Sequence, residues 1–156
     1  MKNYIKDYWE NQALKHKEYH AASWEDNFAI DLEIAEIGRH IKEGDFVLDM
    51  GCANGFACFR QLEERKPSKI FGIDYSENMI KYANLVRNEY PEKERIEFKV
   101  GDIRDIPFED SEFDIVYTTR VIINLPTWEE QKRAIDECIR VTKPEGTIVF
   151  SEAFYE

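Results

Sequence analysis

The sequence predicts an α/β fold, a doubly wound and mainly parallel sheet with helices on both faces. Three observations carry that prediction. Short runs rich in β-branched and aromatic residues alternate with segments of helical periodicity along the chain. The first of these runs enters a helix through a glycine turn, Gly51 to Gly55. Acidic residues (Asp49, Asp74 and Asp102) stand at or just past the ends of three successive runs. In a doubly wound sheet those ends line one crevice.

The elements follow in order. Residues from about 3 to 21 read as helical and carry Tyr4, Tyr8, Trp9 and Tyr19. Ser23 opens a second helix, with Asp26 three residues on as a capping box. Its buried stripe is Phe28, Ile30, Ile34, Ile37 and Ile41, and Gly44 is its stop. A first strand spans 46–49, and the helix after the glycine turn runs to about Arg65. A second strand spans 69–74. Ser76 caps the following helix, which must end before Pro91. A third strand spans 96–100 and a loop runs to Glu112. A fourth strand spans 113–118. Thr127 and Glu130 form another capping box, opening a helix to about Thr142. Pro144-Glu145-Gly146 reads as a turn, and a fifth strand spans 147–151. Residues 1–24 are an N-terminal helical segment. Residues 25–156 are the core.

Composition narrows the function. The chain has 156 residues, 43% of them hydrophobic, which suffices for one domain with its own core. A net charge of −11 repels phosphate backbones and anionic membrane surfaces, so neither nucleic acid nor membrane is expected and a small molecule is the default partner. Cys52, Cys58 and Cys138 form neither a CxxC pair nor an even set, so they read as small buried residues in a reducing compartment rather than as metal ligands. With no apolar signal core at the N-terminus, the expected location is the cytoplasm.

The acids carry the site. The glycine turn lets backbone approach a ligand at a helix N-terminus, although many such turns need glycine for steric reasons alone. Asp74 ends the second strand, where a carboxylate accepts from ribose hydroxyls. Asp102, just past the third, could accept from an exocyclic amine while Ile103 packs on the ring. A nicotinamide site favours G-x-G-x-x-G, and Gly51-x-Ala53-x-Gly55 lacks its third glycine.

Val47-Leu48-Asp49-Met50-Gly51-Cys52-Ala53-Asn54-Gly55, then Gly72-Ile73-Asp74-Tyr75-Ser76 with Met79, then Gly101-Asp102-Ile103 with Ile106-Pro107-Phe108 and Phe113-Asp114, and lastly Arg140-Val141-Thr142-Lys143-Pro144-Glu145-Gly146 together resemble the class I S-adenosylmethionine (SAM)-dependent methyltransferases over residues from about 25 to 152. The resemblance implies a Rossmann-like core with strand order 3-2-1-4-5. It implies SAM as cofactor and S-adenosylhomocysteine as product. It places Gly51, Cys52 and Gly55 on the methionine part, with Ala53 in the same cofactor-binding turn and Asp49 holding the glycine loop and the ammonium, directly or through water. Asp74 would take the ribose, Tyr75 and Met79 would flank the adenine, and Asp102 and Ile103 would meet its amine and its face. Thr118 would complete the cofactor site. Two positions depart from the pattern: Ala53 in place of a glycine, and Glu145 in place of a glycine before the fifth strand. The family also adds two further strands that this sequence does not show. Either a second copy covers the edge of the fifth strand or the chain is part of a longer protein.

Methyl transfer needs alignment and, for a weak nucleophile, a base, so few catalytic groups are required. The segment 118–126 would lie below the reactive methyl. In it, Arg120 suits an anionic acceptor, or a surface ion pair, and Asn124 could touch the acceptor. Tyr4, Tyr8, Trp9, Tyr19 and Trp24 could close a lid or simply pack their segment onto the core, with Tyr8 the substrate-facing candidate. Among His16, His20 and His40, His20 is the candidate base. The expected reaction is methylation of O or N on a small metabolite or sugar, anionic if Arg120 reads it. The rival is a SAM-binding module without turnover.

Overall fold

The computed structural model describes residues 4–22 and 25–153. Five parallel strands form one sheet: β1 (Phe46–Met50), β2 (Lys69–Asp74), β3 (Ile96–Val100), β4 (Phe113–Thr119) and β5 (Thr142–Ser151). Their order is β3-β2-β1-β4-β5, as expected. Among the described residues five α-helices accompany them: α1 (Tyr4–His16), α2 (Asn27–Gly38), α3 (Phe56–Arg65), α4 (Glu77–Glu89) and α5 (Trp128–Val141).

Alternation along the strands builds two cores. Val47, Ile70, Ile96, Ile115 and Tyr117 face Leu62 of α3, Ile80 and Ala83 of α4 and Ile37 of α2. Leu48, Met50, Phe71, Ile73 and Val116 face Ala134, Cys138 and Val141 of α5, with Ile103 and Ile106 from the loop after β3. The same period places Asp49 on the α3 face, beside Cys58 and Tyr117.

Local signals account for most boundaries. The Ser76 hydroxyl accepts from the Met79 N–H (3.1 Å) and the Thr127 hydroxyl from the Glu130 N–H (3.2 Å), each satisfying an orphan donor of a first turn. Other boundaries differ from the sequence expectation. Asp26 is itself the cap of α2, accepting from the N–H groups of Phe28 and Ala29. Ser23 lies outside the described residues. Phe28, in the first turn of α2, points to solvent at 79% exposure, so the buried stripe begins at Ile30. Helix α2 stops at Gly38, and Gly44 serves the loop beyond, at φ +90°. The Pro144 turn lies inside β5. Phe113 pairs with Thr142 and Ile115 with Thr147, so Lys143 to Gly146 bulge opposite Asp114 alone. The sequence shows the turn residues but not that both flanks stay in register.

Helix α1 is tied to the core away from the sheet. The Glu10 carboxylate accepts from the N–H groups of Glu77 and Asn78 and from the Asn78 side-chain amide, at the positive end of α4. The amide of Asn54 donates to the carbonyls of Lys17 and Tyr19 (2.8 and 2.7 Å), pinning the segment after α1 against the glycine turn.

Candidate functional site

The C-terminal ends of the strands open onto a cavity of about 410 Å³. That is within the range of about 300–1,000 Å³ for small-molecule sites. The turns after β1, β2 and β3 contribute Gly51, Ala53, Asp74, Tyr75, Asp102 and Ile103 to its wall. The end of β4 and the loop after it supply the stretch from Thr119 to Pro126, with Ile122 alone turned away from the cavity. Ile5 and Trp9 of α1 complete it from above, with Met79 of α4.

Gly51 shows why the first turn needs glycine. Its φ is +85°, and a Cβ there would lie 2.3 Å from Cγ2 of Val121. Ala53 also takes a positive φ, +47°, and its N–H donates to Oδ2 of Asp74 (3.0 Å). The Ser76 N–H donates to Oδ1 of the same carboxylate (2.9 Å). Asp74 is thus held by backbone at both oxygens while only 8% exposed. Burial pushes its pKa up to about 6, against those two hydrogen bonds. A carboxylate offers about four acceptor positions, so one remains on each oxygen. Two acceptors side by side suit a vicinal diol.

Asp102 lies across the cavity and accepts from Arg104, whose guanidinium also reaches Glu130 in α5. Arg104 holds the Asp102 carboxyl below its ordinary range. Ile103 is buried between loop and sheet, and Met79 is buried at the start of α4. The hydroxyl of Tyr75 is shielded from solvent and has no partner among the described residues. Apolar surfaces, a diol-sized acceptor pair and an unpaired hydroxyl fit a nucleoside.

Several expected residues stand elsewhere. Asp49 does not line the cavity. It is buried under α3, where Cys58 Sγ and Tyr117 OH donate to its Oδ2 (3.2 and 3.0 Å). Burial raises its pKa to about 7. Cys52 is buried beneath the turn against Gly72. Gly55 starts α3 at φ +80° with its open side against the Phe98 ring, so its need for glycine is met by packing. Thr118 is fully buried and donates to Glu152 (2.7 Å), and its neighbour Thr119 takes the cavity wall because side chains alternate along β4.

The acceptor candidates divide similarly. Arg120 reaches the wall, but both oxygens of Glu33 accept from its Nη1 (2.5 and 2.6 Å). Its strained φ of +54° is held by its N–H donating to Ser151 O and by Asn124 Nδ2 donating to its carbonyl (2.6 Å). Asn124 lines the cavity. Tyr8 does not; it is mostly exposed and meets Trp9 edge-on. His20 packs near Phe56, outside the lining. Trp24 lies outside the described residues.

Among the groups that sequence reasoning missed are three acids. Glu10 secures the roof. Glu33 neutralises Arg120 from 87 residues away. Glu152 accepts from the N–H groups of Val121, Ile122 and Ile123, shaping the loop beside the cavity. Each is one acid among many in a chain with 32, so only its position marks it.

Comparison with known proteins agrees with this geometry. A family profile described as a methyltransferase domain matches residues 41–154. Arsenite methyltransferase of Halobacterium salinarum is 32% identical over 112 residues, covering 70% of this chain and 27% of that protein. Demethylmenaquinone methyltransferase of Symbiobacterium thermophilum is 30% identical over 118 residues, covering 73% of this chain and 45% of that protein. The chain therefore spans less than half the length of these curated relatives. Among solved structures, a chain of the complex between the Haloferax volcanii Trm112 methyltransferase activator and a methyltransferase shares the fold. Its TM-score is 0.75 at 24% identity, covering 92% of this chain and 58% of that one. A SAM-dependent methyltransferase from Methanosarcina mazei superposes with a TM-score of 0.66 at 26% identity, covering 73% of this chain and 55% of that one. With its all-parallel 3-2-1-4-5 sheet and a match over residues 41–154, the chain belongs to the methyltransferase-domain family and has the class I, SAM-dependent architecture.

Proposed function

We propose that the cavity binds SAM and that the chain directs its methyl group to an oxygen or nitrogen of a small acceptor, a metabolite or a sugar. The observation that carries the reading is Asp74. A buried carboxylate fixed by two backbone N–H groups, with one acceptor position left on each oxygen, is built for a ribose diol.

Gly51, Cys52, Ala53 and Gly55 would form the turn against the methionine part, and Asp49 would act from beneath it, through the fold of the turn. Tyr75 and Met79 would flank the adenine, Ile103 would pack on its face and Asp102 would meet its amine. Bound SAM supplies a methyl already activated by its sulfonium. The chain's own task is alignment and exclusion of water, with Ile5 and Trp9 over the cavity. Arg120 and Asn124 would stand beside the acceptor. The charge on Arg120 is answered by Glu33, which removes the support for an anionic acceptor and favours a neutral one.

A second reading, SAM binding without turnover, is favoured by one observation: no histidine is among the described residues that line the cavity. Pairing of two copies along the outer edge of β5 is a further proposal. Light scattering after gel filtration tests it against the 18.5 kDa monomer.

Calorimetric titration with SAM, S-adenosylhomocysteine and NAD tests the central reading. SAM and S-adenosylhomocysteine should bind and NAD should not. Asp74→Ala should weaken binding by about 10- to 100-fold, the loss of hydrogen bonds to a charged acceptor. Absence of SAM binding, or full affinity in the variant, would overturn the proposal. Methyl release to an acceptor library then separates enzyme from binding module.

A further inference from the structure

Arg104 makes more contacts with Asp102 than neutralising a charge requires. Its backbone N–H and its Nε both donate to Oδ1 (2.9 Å each), and its Nη2 donates to Oδ2 (2.5 Å). The first closes an Asx-type turn; the other two form a side-on fork. The remaining Nη1 grips Glu130, in the first turn of α5, whose N–H is capped by Thr127. The carboxylate is therefore locked in one plane between two elements, and Asp102, Arg104 and Glu130 all face the cavity. Of about four acceptor positions, Arg104 occupies two on Oδ1 and one on Oδ2. A single position remains, on Oδ2. Arg104 also holds Asp102 ionised. A lone acceptor of fixed direction and full charge takes one N–H donor and repels a carbonyl oxygen put in its place.

We propose that Arg104 is a positioning residue: by clamping the Asp102 carboxylate it makes the cavity select a purine with a 6-amino group over one with a 6-oxo group. The inference rests on reading the cavity as the SAM site, and it assigns to Arg104 a role in base selection that is separate from affinity.

The test is calorimetric binding of S-adenosylhomocysteine and S-inosylhomocysteine to the full chain and to the variants Arg104→Lys and Arg104→Met. Circular dichroism and thermal melts establish that each is folded. The unaltered chain should prefer the adenosyl ligand by at least about tenfold, since a site built for a donor leaves its acceptor unpaired against the wrong base. In both variants the preference should fall toward one, mainly through weaker binding of the adenosyl ligand. Lysine keeps the charge but cannot form the fork, so it separates geometry from electrostatics. If Arg104→Met does not fold, Arg104→Lys decides alone. An unchanged preference in the folded variants would overturn the inference while leaving the SAM reading intact. An equal loss for both ligands would also overturn it, because Arg104 would then be holding the ligand uniformly. No binding of S-adenosylhomocysteine by the unaltered chain would remove the SAM reading and this inference together.

Discussion

Replacing Asp49 by asparagine should abolish a specific part of the protein's pH dependence. In an unfolded chain an aspartate titrates near 3.9. In the folded protein, burial under α3 raises Asp49 to about 7, although Cys58 and Tyr117 both donate to it. From about pH 4 to about pH 7 the folded state keeps the proton and the unfolded state has lost it. The folded state thus binds more protons there, and stability falls as pH rises, by about 1.4 kcal/mol per pH unit. Between pH 5 and pH 8 the chain crosses about two units of that window, a loss of about 3 kcal/mol from this group. The amide of the Asp49→Asn variant carries no charge at any pH and keeps a side-chain oxygen to accept from Tyr117 and Cys58. Asp74 is also raised, to about 6, so the readout is the difference between the two proteins and not the wild type alone. Urea unfolding followed by circular dichroism at pH 5 and pH 8 measures it. Asp49→Asn should gain about 3 kcal/mol on the wild type in going from pH 5 to pH 8. Parallel pH dependences for the two proteins would refute the burial argument.

Other expectations follow from the same geometry. Because Asp74 can accept from both hydroxyls of a diol only when ionised, and burial lifts it to about 6, SAM affinity should be full above that pH and fall as pH drops through it; Asp74→Asn should bind weakly with a flat profile. Gly51→Ala should lower Tm by about 2–8 °C from a left-handed φ costing about 1–2 kcal/mol, and further from the 2.3 Å approach to Val121. Adding Val121→Ala should recover the steric part and leave the backbone part, which thermal melts of the single and double variants resolve. Glu10→Gln weakens the cap on α4 by about 1 kcal/mol and should speed amide exchange in α1 by roughly fivefold. Exchange in the strands should stay unchanged; an unaltered α1 would show that Glu10 does not hold it.

What sequence alone determined was whatever depends on local chemistry. Strands β2 and β3 could be bounded because their β-branched and aromatic runs end at residues that cannot continue them, and α4 because Ser76 caps it and Pro91 limits it. Asp74, Asp102 and Ile103 could be placed at one cavity because parallel strands deliver their ends to one edge. Period-two alternation could also have shown that Asp49 shares a face with Val47, under α3. The tertiary structure alone decided which charges meet. Glu33 reaches Arg120, Glu10 reaches α4 and Glu152 reaches the loop after β4, across separations of 87, 67 and 31 residues. Local patterns hold no information about such pairs, because any of the 32 acids could satisfy them. Helix caps and strand periodicity are set within one turn of chain. The charge state of a cavity wall is set by whichever residue the fold brings across it, and here the fold brings Glu33 against Arg120.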